Sequence, residues 1–343
     1  MPAGSRVKAG HLWASAEEVS DMTTRCLLIT SLLLMCRLAQ AEQNIAYSKV
    51  LINGARVHVV SVNLNSPDLK VTVSLTKNGS GSTESFTSML NRLQPAAAIT
   101  GTFFCTRSLQ PTGDIVIEGI KVHEGVIGTG VCFTPENTVQ YLPYRSGHRT
   151  GWEGYDTVLC AGPTLVRNGS IFLIPRDQGF TDPGLFGRKK RTALGTTMNN
   201  KLLLVVVDTP VQLRTLARIM LDLGAVNAVD LDGGTSSALY QNGRTISHPG
   251  RKLTNLLVVY DSLYDYYHHR QALAPQFRNT IAVKPKAVAS EWSPTMLANW
   301  HAPKAEAARI AQDPDQELVP DVEIGFDTVS RLRSRGSSRL RLP

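Results

Sequence analysis

The sequence predicts a single-domain α+β (mixed α/β) protein, with helices packed on a twisted mixed sheet that contains a βαβ crossover. Short apolar runs of strand length alternate with segments of helical periodicity, and no internal repeat is present. The composition, 42% hydrophobic and 19% charged, is that of a globular chain. The 343 residues are enough for one large domain or two small ones, and this composition excludes wholly disordered, collagen-like and low-complexity proteins.

The first elements follow from local periodicity. Residues 55–64 and 69–75 are predicted strands, since they are rich in valine and are joined by the turn cluster 65–68. Residues 85–93 are predicted to form a helix with one buried face, because apolar residues recur at i, i+3, i+4 and i+7: Phe86, Met89, Leu90 and Leu93. The apolar run 96–100 is then a short buried strand.

A strand, a helix and a second strand follow one another in the second half of the domain. Residues 202–207 and 225–231 are apolar runs of strand length, and the helical periodicity between them begins at Thr209-Pro210. A crossover of this kind places its two strands parallel, so their carboxyl ends lie at the same edge of the sheet. Asp208 and Asp232 are therefore expected at the edge where α/β sheets bind ligands.

The N-terminal segment 1–41 is predicted to be an extension followed by a secretory signal. Arg25 precedes an apolar run at 26–36, and Ala39-Gln40-Ala41 is a small-residue cleavage site. The apolar run is too short to span a bilayer. The globular domain is predicted over 42–278, and we expect the mature protein to be secreted or periplasmic.

The C-terminal segment 279–343 is predicted to be a disordered basic tail, because it lacks sustained apolar periodicity and ends in a cluster of arginines. The whole chain carries 36 Lys+Arg and 28 Asp+Glu, a formal net charge of +8. Such a tail could make weak contact with an anionic envelope, and a solvated tail without a specific partner is the alternative. The sequence contains no pattern of a nucleic-acid reader, so a specific nucleic-acid partner is not expected.

Cysteine spacing argues against a zinc cage and against a disulfide scaffold. The five cysteines include no Cys-x-x-Cys pair. Removal of the signal leaves Cys105, Cys132 and Cys160, which permit one disulfide in an oxidising compartment, and the sequence leaves the pair open. No structural metal is expected.

The loop 232–237 is the most informative stretch for function. Two glycines, Gly233 and Gly234, follow a buried strand and let backbone amides approach a ligand, because no Cβ blocks the approach. Hydroxyl donors occupy the next three positions, and Asp232 supplies a carboxylate that can act as base, nucleophile or clamp for a sugar hydroxyl. The same sequence is also typical of a tight turn between two strands, so the loop alone leaves a functional and a purely structural role open.

Four further motifs occur in a fixed order around this loop. They are Thr100-Gly101-Thr102-Phe103-Phe104, the stretch from Gly162-Pro163 to Asn168-Gly169, Arg191-Thr192-Ala193-Leu194-Gly195, and Arg251-Lys252-Leu253-Thr254-Asn255. With the loop, their order and spacing resemble the phosphodiester glycosidase family over about residues 55–260. Three positions depart from the family pattern: Thr100 stands where the family has asparagine, and Thr102 and Thr235 stand where it has glycine.

The resemblance implies one site built from the matching residues. It implies Asp232, Arg191 and Ser236 as catalytic residues, with the Arg191 and Arg251 guanidinium groups on a phosphate. Asp208 joins the site by its position at the sheet edge. The full set of expected substrate-binding residues is Thr100, Gly101, Thr102, Phe103, Gly162, Asn168, Asp208, Gly233, Gly234, Thr235 and Arg251.

Physical chemistry gives this resemblance a mechanism. Cleavage of the bond from sugar C1 to oxygen in a sugar-1-phosphodiester expels a phosphate monoester, whose second pKa is about 6, so a strong general acid is less necessary. The site must instead hold phosphate charge and stabilise an oxocarbenium-like centre. We therefore expect a hydrolase that cleaves the glycosidic bond of a sugar-1-phosphodiester, in envelope or exopolysaccharide glycan metabolism, without a cofactor.

Two other classes of function stay open at this point. A non-catalytic carbohydrate-binding module is suggested by the altered first motif and the replaced third glycine. A metal-dependent phosphodiesterase is the other class, because Asp230 and Asp232 share one face of a strand and could bind a divalent cation together with Asp208.

Overall fold

The computed structural model describes residues 43–145 and 151–278. The predicted signal (1–41) and basic tail (279–343) lie outside the described residues, so both stay predictions. The strands are β1 (Ile45–Ile52), β2 (Ala55–Asn63), β3 (Lys70–Leu75), β4 (Ala97–Thr100), β5 (Ile115–Ile117), β6 (Ile120–His123), β7 (Ile127–Phe133), β8 (Val139–Arg145), β9 (Thr157–Ala161), β10 (Thr164–Arg167), β11 (Ser170–Ile171), β12 (Lys189–Thr197), β13 (Lys201–Val211), β14 (Ala225–Leu231), β15 (Leu239–Gln241), β16 (Arg244–Ser247) and β17 (Asn255–Tyr260). The helices are α1 (Phe86–Leu93), α2 (Pro183–Phe186), α3 (Leu213–Asp222) and α4 (Leu263–His269).

The strands form three sheets. The largest has the order β1-β2-β13-β12-β14-β10-β11, the second has the order β16-β15-β4-β17-β3, and the third has the order β6-β5-β9-β7-β8. Within the described ranges every pair of neighbouring strands is antiparallel. The prediction of a mixed sheet is therefore wrong, and helices contribute much less of the fold than the α+β class suggests.

The predicted crossover takes a different form. β13 and β14 flank α3 in sequence, but β12 lies between the two strands and pairs antiparallel with each. The two strands consequently run in the same direction without pairing to each other. β13 also continues through Thr209 and Pro210, and α3 begins only at Leu213. A shift in the β12–β13 register occurs near this proline, which has no N–H to donate to a ladder.

The largest sheet is buried on both faces. Along β13, Leu202, Leu204 and Val206 pack in a core shared with the other two sheets. The alternate residues Leu203 and Val205 pack in a second core, which includes the apolar face of α3. Burial on both faces explains the unbroken apolar run that predicted this strand.

The other local predictions are confirmed with small changes at the boundaries. Helix α1 covers the predicted segment with Ser85 as its N-cap, whose hydroxyl accepts a hydrogen bond from the Ser88 amide. The strands predicted at 55–64, 69–75, 96–100 and 225–231 correspond to β2, β3, β4 and β14.

Two further features bear on the chemistry of the fold. Cys105, Cys132 and Cys160 are free thiols, and burial raises the pKa of Cys132 and Cys160. Across 43–145 and 151–278, no helix is both long enough and apolar enough to span a bilayer.

Gly101 fixes the approach of β4 to β17. A Cβ at this position would lie 1.9 Å from Asn255 Oδ1, and that oxygen accepts a hydrogen bond of 2.8 Å from the Thr102 amide. The absence of a side chain at residue 101 therefore lets Asn255 hold the backbone that leaves β4.

Gly101→Ala should lower the free energy of unfolding by about 1–3 kcal/mol, because the added methyl group overpacks this contact. Gly187→Ala is the matched control, since a Cβ there meets no atom within 4 Å. Urea denaturation of both variants and the parent measures the effect. Equal midpoints for the two variants would show that Asn255 can move aside without cost.

Candidate functional site

Three chain segments meet where β4 and β14 end and β17 begins. The Asp232 amide donates a 3.0 Å hydrogen bond to the Gly101 carbonyl, and the Gly101 amide donates a 3.2 Å bond to the Asn255 carbonyl. Asn255 also contacts both backbone groups of Thr102 through its side-chain amide. These bonds hold together the Thr100–Phe104 motif, the Asp232 loop and the Arg251–Asn255 motif.

Arg251 joins the residues of the glycine loop. Its Nε donates a 2.6 Å hydrogen bond to Ser236 Oγ, and its Nη2 donates a 3.2 Å bond to Asp232 Oδ2. The guanidinium lies 4.5 Å from the centre of the Phe104 ring and makes a cation–π contact with it. A guanidinium has five N–H donors, so three remain after these two bonds. About a third of this side chain is exposed (36%), whereas Asp232 is buried.

The electrostatics of Asp232 are a balance between burial and its partners. Burial is the largest effect and raises the pKa of the carboxyl, while the Ser236 hydroxyl and the Arg251 guanidinium act in the opposite direction. The carboxylate is thus poorly solvated and held by one arginine and one serine. A carboxylate in this state is suited to stabilise positive charge that develops beside it.

Each glycine of the loop has a steric reason. A Cβ on Gly233 would lie 2.9 Å from the Lys190 carbonyl oxygen, so the loop packs directly on β12. Gly234 has φ of 61°, in the left-handed region that favours glycine. It begins a short 3₁₀ turn, Gly234–Ser236, which buries Ser236 and leaves Thr235 exposed.

The first two motifs pack beneath this loop. The buried Thr100 hydroxyl donates to the Ser236 carbonyl and accepts from the Ala238 amide. Gly162 is a close-approach position, since a Cβ there would lie 2.3 Å from the Phe103 ring and 2.6 Å from the Asp230 carbonyl. The expectation that Thr100 and Gly162 bind substrate is replaced by a packing role.

Phe103 and Thr102 differ in burial. Phe103 is half-buried, and its ring packs 6.2 Å from the Phe180 ring, centre to centre. The Thr102 hydroxyl is buried and makes no hydrogen bond to any described residue.

Arg191 is a buried structural residue. Its Nη2 donates 2.7 Å bonds to the carbonyls of Leu185 and Gly187, and its Nε donates to the Val211 carbonyl at 3.1 Å. Its Nη1 lies 3.5 Å from Asp230 Oδ2, and both side chains are 1% exposed. The expected contact of Arg191 with phosphate is corrected, because these bonds direct the guanidinium into the core under α2.

Asn168 lies at the wrong end of the sheet for a site residue. Asn168 and Gly169 have φ of 49° and 73°, the left-handed pair of a two-residue hairpin between β10 and β11. The Gly169 amide bonds the Val226 carbonyl at the start of β14, whereas Asp232 follows the end of that strand. Six residues at about 3.3 Å each separate the two by about 20 Å. The expected role of Asn168 in substrate binding is therefore corrected.

Asp208 belongs to a separate polar cluster. Its Oδ2 lies 2.9 Å from His58 Nε2 and its Oδ1 lies 2.8 Å from Lys190 Nζ, and these partners lower the pKa of the carboxyl against the effect of burial. Asp208 lies on the sheet face of Val206, whereas Asp230 lies on the opposite face with Arg191. Asp208 is thus corrected as a site residue.

The same geometry bears on a divalent cation. Because Asp208 faces away from Asp230, the three carboxylates of the alternative cation site do not converge. The part of the chain that the structure describes contains no group of three or more His, Cys, Asp or Glu residues arranged to hold a metal ion.

Sequence reasoning missed Lys189, and it placed Phe104 in a matching motif without its contact to Arg251. Phe104 supports Arg251. Lys189 begins β12 and is half-buried, and its Cδ would lie 3.7 Å from a Cβ on Gly234. The sequence signal for Lys189 is the run of basic residues that precedes Arg191. Such a run is also typical of a solvated surface.

A groove lies beside Arg251. It has a volume of about 360 Å³ and is lined by Ser85, Phe86, Thr87 and the segment from His248 to Lys252. The volume lies within the range of small-molecule sites, and the lining is basic on one side. Of the Asp232–Ser236–Arg251 cluster, the groove is lined by Arg251.

Comparison with known proteins agrees with this geometry. A family model described as phosphodiester glycosidase matches residues 94–260, which contain Asp232, Ser236 and Arg251. The resemblance to the phosphodiester glycosidase family is confirmed. A comparison with curated proteins finds no match.

Two solved structures resemble the phosphodiester glycosidase segment and its surroundings. The auto-inhibited catalytic domain of zebrafish N-acetylglucosamine-1-phosphodiester alpha-N-acetylglucosaminidase has a TM-score of 0.53 and 20% identity, covering 63% of this chain and 82% of that one. A hypothetical protein from Synechocystis has a TM-score of 0.50 and 16% identity, covering 63% of this chain and 61% of that one. At these identities the similarity shows the fold.

Arg191→Met should lower the free energy of unfolding by about 3–5 kcal/mol, because it leaves Asp230 and three backbone carbonyls buried without their donor. Arg188→Met, at an exposed position of the same segment, should change it by less than about 0.5 kcal/mol. Thermal and urea unfolding measure both. An Arg191→Met protein of full stability that had lost phosphate binding would restore the original assignment.

Proposed function

We propose that this protein is a hydrolase that cleaves the glycosidic bond of a sugar-1-phosphodiester. The observation that carries the proposal is the Arg251 bridge between the buried Asp232 carboxylate and Ser236, beside an open groove. The family match over residues 94–260 supports the same class of substrate, phosphodiester-linked sugars. The similar zebrafish enzyme is named for a reaction on an N-acetylglucosamine-1-phosphodiester.

The leaving group determines what the site has to supply. When the C1–O bond breaks, the bonding electrons leave with the phosphate monoester, which is a weak base and requires little protonation. The sugar is left with an oxocarbenium-like centre. A carboxylate near C1 and fixed cations near the phosphate are the two groups that stabilise the separating charges.

Asp232 and Arg251 supply these two groups. We assign the Asp232 carboxylate to the anomeric carbon, where it either stabilises the cationic centre or forms a covalent bond with it. The free donors of Arg251 are assigned to the phosphate oxygens, since a guanidinium matches them in geometry. Ser236 orients Arg251 through the 2.6 Å bond to Nε. The groove beside Arg251 is assigned to the group esterified to the phosphate.

The cellular context is a further part of the proposal. An enzyme that follows a cleaved signal acts outside the cytoplasm, where sugar phosphodiesters occur in envelope and exopolysaccharide glycans. The basic tail would hold such an enzyme near an anionic envelope. Both segments lie outside the described residues, so this part rests on the sequence patterns alone.

A metal-dependent phosphodiesterase has less support. Its third carboxylate, Asp208, forms an ion pair with Lys190 and a hydrogen bond with His58 on the other face of the sheet. A carbohydrate-binding module would retain the groove and the arginine without turnover, and the activity assay separates it from the proposed enzyme.

Asp232→Asn should reduce kcat/KM for a sugar-1-phosphodiester by at least about 100-fold, because the amide cannot stabilise positive charge at C1. The assay uses a panel of sugar-1-phosphodiesters as substrates and the chain from residue 42 onward as the enzyme. Asp261→Asn, at an exposed carboxyl beyond β17, is the matched control and should retain full activity.

Three outcomes of this assay oppose the proposal. Undiminished turnover by Asp232→Asn removes the carboxylate from the mechanism. Ligand binding by the parent without product release identifies a binding module. Loss of turnover on addition of a chelator, restored by a divalent cation, favours the phosphodiesterase.

A further inference from the structure

The two lysines at the start of β12 have different surroundings. Lys190 Nζ forms a 2.8 Å ion pair with Asp208 Oδ1, on the face of the sheet away from Asp230. The Lys189 stem lies along the glycine loop, with Cδ 3.7 Å from the Cβ position of Gly234. Neighbours in sequence therefore differ in whether they reach the candidate site.

The charges around Lys189 point toward the same site. Burial and the nearby Arg191 guanidinium lower the pKa of the lysine, whereas Asp230 and Asp232 favour its charged form, as does Asp182. Asp182 already accepts a hydrogen bond from the Gly184 amide as the cap of α2. The Lys189 ammonium thus lies within electrostatic reach of both carboxyls at the end of β14.

Asp230 is the second unusual group in this cluster. It is fully buried, and its Oδ1 has no hydrogen-bond partner among the described residues. Burial raises its pKa to about 7, against the effects of Arg191 and Lys189. Asp230 is also shared with the Arg191 guanidinium, so it offsets the positive charge of Lys189 only in part.

The loop beside Lys189 is closed by its own backbone hydrogen bonds. In the Gly234–Ser236 turn, the amides of Ser236 and Ser237 bond the carbonyls of Gly233 and Gly234. The Lys189 ammonium is a charged donor beside this loop, and charged donors suit phosphate oxygens.

We propose that Lys189 is the second phosphate-binding cation of the site, acting with Arg251 on the phosphodiester of the substrate. This inference rests on the proposed function and gives Lys189 the role that Arg191, buried in the core, does not perform. Lys189 contacts the substrate directly in this assignment. Because an ammonium is a point charge without a fixed fork, it accommodates both the diester and the monoester product.

Binding of inorganic phosphate tests the inference without using turnover. Titration calorimetry on the chain from residue 42 onward should detect binding by the parent, and Lys189→Met should weaken it about tenfold or more. Methionine retains most of the stem that lies along Gly234. Lys189→Arg should recover part of the affinity. Lys190→Met is the matched control and should bind phosphate within about twofold of the parent.

The outcomes separate this inference from the proposed function. A parent that binds no phosphate, or a Lys189→Met protein that binds as tightly as the parent, overturns the inference. Equal weakening in the two methionine variants also overturns it, because it shows a general effect of charge. Thermal unfolding confirms that each variant is folded. Suppose that the parent binds phosphate and yet hydrolyses no sugar phosphodiester. If phosphate binding is then lost only in Lys189→Met, the inference is supported and the proposed function is contradicted.

A second substrate locates the effect within the reaction. In an active parent, Lys189→Met should reduce kcat/KM for a sugar-1-phosphodiester about tenfold or more and leave that for a phosphate-free aryl glycoside of the same sugar within about twofold. Equal losses on both substrates would show that Lys189 acts on Asp232 rather than on phosphate, and would overturn the assignment.

Discussion

The burial of a carboxylate at the end of an apolar strand is the constraint on which this structure depends. β14 carries Asp232 out of the core with 6% of the residue exposed, so an unpaired charge there would cost several kcal/mol. Arg251 compensates this cost, and it can do so only because Asn255 and Gly101 bring the start of β17 to the end of β4. The convergence of distant segments is therefore an electrostatic requirement as well as a topological one.

The same requirement separates the basic residues of the site by role. Arg191 satisfies buried carbonyls and Asp230, which leaves it no exposed donor surface. Arg251 retains free donors beside a groove, and Lys189 reaches the loop from β12. One arginine thus stabilises the fold, while the more exposed cations are available to an anionic ligand.

Sequence periodicity predicted elements well and their pairing poorly. The apolar runs at β13 and β14 and the helical spacing in α1 report local burial, which depends on residue type. The insertion of β12 between β13 and β14 depends on hairpin formation with β13, and no residue pattern in the crossover itself encodes it. The predicted mixed sheet is consequently antiparallel, although β13 and β14 run in the same direction.

The candidate site was predictable as a set of motifs and less so as a set of side-chain directions. The Asp232 loop and Arg251 meet as expected. The loop directly follows the end of β14, and Arg251 lies shortly before the start of β17. Arg191 could have been recognised as buried, since it shares the strand face of Ala193 in the core under α3. Asn168-Gly169 carried the signature of a hairpin turn. The shifted register near Lys189 had no such signal, which is why this lysine was missed.

Hydrolysis in oxygen-18 water tests the central claim about bond cleavage most directly. If Asp232 and Arg251 separate charge across the C1–O bond, mass spectrometry will find the label in the released sugar and an unlabelled phosphate monoester. Label in the phosphate monoester would mean that the P–O bond breaks, and the glycosidase account would be wrong.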